Sequence, residues 1–437
     1  MYISLANPRY SLVIPKDTPK PKYLSFTHEL QDRHKSILLE LSKLLNLRFN
    51  KKRKLQQRFL ESKLRALELV IVNIISKTKL DINQQVFISY RSQTFTDTHC
   101  NYRQFIEVMK YLEDNGLIIR VKGKKKTYPF DNTKWNYYSA SIISITERFI
   151  NLCACIQINK INYQSYFKTC LPKYFISARD ESNLILGKKV RGKKLSIRQL
   201  KLIPKFNLLN DEMSKINKYI SKQNLENCEF YGLVRNFNII NNEHSFSYGG
   251  RIQAVGNNNF QTLKKEQRKK ILINGKSVVE IDIKGSHLTI FCALLGVQIE
   301  NRDPYQISSL HRDIVKEWVN ISLSISKYCE RWPVGVKKRL LEKGHNLKKL
   351  TAKKAGLLIL NDIPILKKLY NAPSGWGFLQ FIESCILMET IKELNKAKII
   401  ALPVHDSLIV ENSHIEAAKK ILNDVFYKKL NVKPILN

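Results

Sequence analysis

Two apolar, β-branched runs constrain this chain most, because each carries acids that a buried strand does not ordinarily tolerate. The first is Ser277-Val278-Val279-Glu280-Ile281-Asp282-Ile283-Lys284-Gly285, which passes into a helix-like stretch, 288–295. Strand alternation puts Glu280 and Asp282 on one face. The second, Ile399-Ile400-Ala401-Leu402-Pro403-Val404-His405-Asp406-Ser407-Leu408-Ile409-Val410, reads as two strands joined by a polar turn, His405-Asp406-Ser407. Alone, Asp406 reads as a turn residue. Beside Asp282 on a strand of the same kind, it becomes half of a metal-binding pair. Two Mg2+ ions, with Mn2+ as the alternative, would each take one or two carboxylates and fill the remaining positions with phosphate oxygens.

Charge names the class of partner. Among 437 residues, 74 Lys+Arg stand against 37 Asp+Glu, a formal net charge of +37. That is far beyond the ~2–8 that keeps a small domain soluble. The basic residues are interleaved with Tyr and Phe rather than gathered in one tail, which points to folded surfaces along a nucleic-acid backbone. A hydrophobic content of 43% excludes wholesale disorder, and the length allows about two or three domains. Without an apolar stretch of ~18 residues or a signal-peptide core, the expectation is a cytoplasmic protein with no membrane partner. The eight cysteines include no C-x-x-C pair and read as reduced core thiols.

Residues 28–80 read as long basic helices, with Leu38, Leu41, Leu67 and Val70 at helical spacing and the cluster Lys51-Lys52-Arg53-Lys54 between them. Next comes a helix from Tyr102 to Asn115, stopped by Gly116, then a strand, Leu117 to Val121. A basic turn, Lys122 to Lys126, leads to a second short strand through Tyr128. This succession resembles a winged helix, whose helix enters a major groove and whose wing touches the backbone. The resemblance implies phosphate contact by Lys124, Lys125 and Lys126. The loop 187–194 is basic but lacks the spacing and the Ser/Thr of a P-loop, so it reads as a backbone-tracking loop.

Between the two acidic strands, Arg312 and Lys316 share a helix face at i, i+4 and can clamp a polyphosphate. Arg339 and Lys343 repeat the spacing as an alternative pair. In order, Asp282, Arg312-x-x-x-Lys316 and His405-Asp406 resemble motifs A, B and C of the family A DNA polymerases and of the phage-type single-subunit RNA polymerases. Tyr248-Gly249-Gly250-Arg251-Ile252 resembles that superfamily's T-G-R segment, and Gln261 and Arg268 follow as a glutamine and arginines do there. Asp303-Pro304-Tyr305 stands where the family has an acidic turn, and the apolar helix 378–394 precedes motif C. The resemblance covers roughly 235–437.

The resemblance implies an α+β chain in three parts. A basic helical and winged-helix-like region (1–147) leads through a connecting or thumb-like basic region (148–234) into a right-hand polymerase palm with an antiparallel sheet and helical fingers (235–437). It makes Asp282 and Asp406 the metal-binding aspartates, with the backbone carbonyl of Ile283 as a further ligand. Arg312 and Lys316 become nucleotide-phosphate binders, with Lys316 also the general acid, and His287 and Asn320 line the nucleotide site. His405 would sit beside the primer terminus, and Arg251, Gln261 and Arg268 against the duplex. The departures are His287 in place of the glutamate that excludes ribonucleotides, Asn320 and Ser324 in place of larger fingers residues, and Ser407 as in the RNA enzymes. The activity implied is a template-directed DNA polymerase without proofreading. Its partners would be a DNA primer–template and deoxynucleoside triphosphates, in replication of a plasmid, phage or mobile element. A single-subunit RNA polymerase or primase, with RNA as partner, and a non-catalytic replication initiator remain the alternatives.

Overall fold

The computed structural model describes residues 19, 21–44, 54–95, 98–123, 125–128, 135–138, 140–185, 188–190, 192–240, 245–256, 258–299 and 303–437. The fold is α+β with several small sheets. The chain divides into two compact units, 1–173 and 174–437. Among the described residues, no helix is long and apolar enough to cross a membrane.

In the first unit, the helix Lys54–Thr78 buries a continuous apolar stretch, Ala66–Ile75, interrupted by Glu68 and Asn73. Both polar groups are answered. Glu68 pairs with Lys35 and Arg65 and accepts the Leu30 N–H. Asn73 Oδ1 accepts the N–H groups of Thr27 and His28, each at 3.0 Å. The helix Tyr102–Asp114 starts at Asn101, whose side chain accepts the Arg103 N–H, and buries Phe105, Val108, Met109 and Leu112. Gly116, at φ +65, turns the chain into the strand Ile118–Val121.

The strand pairing there departs from a simple hairpin. Ile118–Val121 pairs with Ser141–Ile145, whose alternate residues are buried, and not with the segment that immediately follows it. The segment Lys125–Tyr128 pairs instead with Trp135–Tyr138. Lys125 and Lys126 therefore open a strand rather than cap a turn, and Lys124 lies outside the described residues. Ser-Ile-Ile-Ser-Ile offers the Ile118 strand an alternating buried face.

The expected connecting region, 148–234, does not stand as a part of its own. Phe149, Cys153, Ile156, Tyr163 and Phe167 join the hydrophobic core of the first unit. Beyond the boundary, Ile176–Asp180 pairs in parallel with Leu233–Ile239 in the second unit. Burial of these apolar side chains overrides the basic composition that marked the stretch as a linker.

Among the described residues, the second unit holds a set of helices and three sheets, the smallest of them the antiparallel pair Asn183–Ile185 and Lys188–Val190. One of the larger two has the order Gly249–Ala254, Leu233–Ile239, Ile176–Asp180. The other is antiparallel, in the order Leu225–Glu226, Leu272–Ile273, Lys276–Asp282, Ser407–Glu411, Leu402–Val404. The long helix Trp376–Lys396 packs against the Gly249–Ala254 strand and the helix Ile415–Leu430. The helix Arg312–Ile325 is anchored by Trp318, whose Nε1 donates to the carbonyls of Cys329 and Ala352 at 3.0 Å. Gly356 leaves room for that indole, since a Cβ there would lie 2.6 Å from Trp318 Cζ2. Cys100, Cys153, Cys170, Cys292 and Cys329 are buried free thiols, as expected of core residues, while Cys155 is exposed.

Candidate active site

The two acidic strands are neighbours. Lys276–Asp282 pairs antiparallel with Ser407–Glu411 in a register that sets Asp282 opposite Ser407. The turn His405-Asp406 therefore falls at the same sheet end as Asp282. His405 adopts φ +56, a left-handed conformation that His accepts more readily than branched residues. Past Asp282, Ile283 bridges to Leu436, and the Asp282 N–H donates to Asn437 Oδ1 at 2.9 Å. Gly285, at φ +61, then starts the helix Ser286–Leu294, and a Cβ there would meet Pro304 Cγ at 2.7 Å. Glycine lets this helix begin directly beneath the 303–305 turn.

A cleft of about 230 Å³ opens at this sheet end. It gathers the expected residues Asp282, Ile283, Asp406, Arg312, Lys316, His287, Asn320 and Arg251. Burial pushes the Asp282 carboxyl up to about 6, with Asp406 and Glu280 adding to the rise and Lys316 and Lys265 opposing it. Among the described residues, neither Asp282 nor Asp406 has a hydrogen bond or ion pair at its carboxylate. Glu280, two residues away, is neutralised instead. Arg268 donates to it through Nε and Nη2 at 3.0 Å each, and Ser407 Oγ donates at 2.7 Å. One of three neighbouring acids is locked, and two remain available to a cation.

The cations opposite differ in kind. Arg312 Nε donates to Asp303 Oδ2 at 2.6 Å, and its guanidinium lies 5.7 Å from the Tyr305 ring centroid. Burial would raise the Asp303 carboxyl, but the Tyr305 N–H and Arg312 together hold it below its usual range. Lys316 is exposed at the rim one turn further along. Tyr305 is buried, its hydroxyl pushed up by that burial, and donates to Asn320 Oδ1 at 3.2 Å.

At the cleft floor lies a residue that sequence reasoning did not pick out. Glu383, 4% exposed, accepts a hydrogen bond from Ser286 Oγ at 2.6 Å. Arg251 Nη2 and His287 Nε2 each lie 3.6 Å from its carboxylate oxygens. The signal was available. Leu379, Glu383 and Leu387 follow each other at i, i+4, i+8, so an acid sits on a buried stripe.

Other expected residues stand elsewhere. Gln261 Nε2 donates to the Pro403 carbonyl at 2.7 Å, and its Oε1 accepts the Ala254 N–H at 2.8 Å. It clips the aspartate hairpin to the Gly249–Ala254 strand rather than offering a free amide to a duplex. Arg268 is likewise committed to Glu280 and to the Leu263 carbonyl. His405 is exposed at the hairpin tip and does not line the cleft. The alternative pair also lies outside it, with Arg339 on Glu317 and Lys343 on Asp313. No known protein family and no curated protein sequence matches the chain.

Proposed function

We propose that the chain is a template-directed nucleotidyltransferase, a DNA polymerase of family A type. One observation carries the reading. A chain with net charge +37 leaves two carboxylates, Asp282 at a strand end and Asp406 in the turn beside it, without an ion pair among the described residues, and Arg312 and Lys316 line the same cleft. Without a cation to bind, two like charges so placed cost stability and gain nothing.

The donor set fits hard divalent cations. Asp282, Asp406 and the Ile283 carbonyl are all oxygen ligands at one strand end, the set Mg2+ prefers, and Mn2+ accepts the same set. When bound, the ions would lower the pKa of a primer hydroxyl and offset charge on the leaving pyrophosphate. The chain's own groups do the rest. Arg312 exchanges Asp303 for the incoming polyphosphate, so it binds nucleotide by trading one anion for another. Lys316, exposed at the rim, is placed to protonate the leaving pyrophosphate. His287 and Asn320 border the sugar and base, and Arg251, braced by Glu383, faces the duplex. In the first unit, the helix Tyr102–Asp114 and the paired strands Lys125–Tyr128 and Trp135–Tyr138 would hold duplex DNA.

The test is primer extension with a labelled primer–template, Mg2+ and either dNTPs or rNTPs. Extension with dNTPs, abolished in Asp282→Ala and in Asp406→Ala while DNA binding persists, is the expected outcome. A preference for rNTPs would move the reading to an RNA polymerase or primase. DNA binding without extension under any condition would leave a replication initiator.

A further inference from the structure

Outside the cleft, the helical part of the second unit brings together His311, Asp313 and His345, whose ligand atoms lie within 4.8 Å of one another. We propose that these three side chains form a binding site for a nitrogen-preferring divalent ion such as Zn2+ or Co2+, which staples the start of the Arg312 helix to the neighbouring helix end. The inference does not depend on the polymerase reading.

Backbone geometry fixes the positions of both histidines. His311 is the N-cap of the helix Arg312–Ile325, its Nδ1 accepting the Asp313 N–H at 3.2 Å. His345 follows the helix Val334–Glu342 in a Schellman arrangement. Its N–H donates to the Leu340 carbonyl at 2.8 Å, and the N–H of Gly344, at φ +88, donates to that of Leu341 at 2.9 Å. The imidazoles meet with ring centroids 4.2 Å apart. Asp313, two residues beyond the cap, turns Oδ2 toward His345 Nε2 at 3.5 Å. Two ligands on one tetrahedral ion, at bonds of about 2.0–2.1 Å, stand roughly 3.3 Å apart. The Asp313–His345 pair already has nearly that spacing, and the His311 ligand atom lies within 4.8 Å of both.

Two features define the chemistry. Two imidazole nitrogens with one carboxylate favour Zn2+, Co2+ or Ni2+ over Mg2+, so the site is chemically separate from the all-oxygen set at Asp282 and Asp406. Coordination by His311 also takes the place of its cap on the Asp313 N–H, whichever ring nitrogen binds. Ion and cap are alternatives at the residue that immediately precedes Arg312. Lys343, 3.3 Å from Asp313 Oδ1, is the competing cation already present.

The test uses the full chain, kept reduced, in excess Mg2+. Co2+ is added while its visible d–d band is followed, and Zn2+ binding is measured by calorimetry. The expected result is one equivalent of Co2+ in a low-symmetry band, displaced by Zn2+, lost in His311→Ser and in His345→Ala, and tightened several-fold in Lys343→Gln. Serine retains a side-chain cap, so His311→Ser removes the ligand while keeping the helix start. A melting temperature equal to wild type in EDTA establishes that each variant is folded. No saturable binding, binding that survives both histidine variants, or a thiolate-to-metal charge-transfer band would each overturn the proposal, the last by moving the ion to cysteine.

Discussion

Replacing Asp282 with Asn removes a charge that the fold holds at a cost. Burial, then Asp406 and Glu280, raises this carboxyl from 3.8 to about 6. A raised carboxyl binds its proton more tightly in the native chain than in the unfolded one. Ionising it therefore costs stability, with no cost below about pH 4 and the full cost above about pH 6. At about 1.4 kcal/mol per tenfold change, the upper bound is about 3 kcal/mol. Because the side chain is only half-buried, solvent screening reduces the expected gain in the variant to about 1–2 kcal/mol at pH 8. In a unit of this size that is a rise in melting temperature of roughly 2–6 °C. Tryptophan fluorescence is a suitable probe, since Trp318, Trp332 and Trp376 all belong to the second unit. Melts in EDTA from pH 4 to 8 should show the gain shrinking toward zero as the pH falls. Mg2+ should then stabilise the wild type and not the variant. An Asn variant that melts lower than wild type at pH 8, or a gain independent of pH, would refute the electrostatic account of the site.

Further outcomes follow from individual contacts. Arg268→Ala leaves Glu280 uncompensated beside Asp282 and should cost about 1–3 kcal/mol in urea unfolding, with Glu280→Gln in the same chain restoring most of it. Should the polymerase reading hold, Arg312→Ala should raise the KM for dNTP at least tenfold, and Asp303→Asn, which frees Arg312, should lower it; steady-state extension distinguishes the two. Gly285→Ala forces a side chain into φ +61 and toward Pro304, so thermal unfolding should report a loss of about 1–3 kcal/mol. Gly356→Ala, whose methyl would meet the Trp318 ring, should shift that tryptophan's emission and lower stability by a similar amount.

What was legible in the sequence was the pairing of acids with apolar strands. Asp282 and Asp406 stand out because an apolar run rarely carries a carboxylate without a reason, and the hairpin 402–411 follows from two apolar runs parted by the polar turn His405-Asp406-Ser407. Arg312 and Lys316 were legible from helical spacing. Glu383 was legible only from its place at i+4 between Leu379 and Leu387, a faint signal because in a helix apolar on most sides one acid reads as surface. Gln261 and Arg268 were read as free hands for nucleic acid because a sequence shows donors and not the acceptors that will meet them. The pairing of Ile118–Val121 with Ser141–Ile145 escaped for a related reason: an inserted strand pair separates the two, and register depends on which distant face is apolar.

The ladder that sets Asp282 opposite Ser407 also says when the site comes into being. Its two strands are joined through the run of helices from Ser286–Leu294 to Trp376–Lys396, so closing that loop is among the costliest contacts in the chain. Nucleus formation through local helices would come first, and the Lys276–Asp282 and Ser407–Glu411 strands would meet late. The repulsive carboxylate pair is thus created only after enough of the core has formed to bear it. A chain arrested earlier would carry two ordinary, well-hydrated aspartates and no place for an ion.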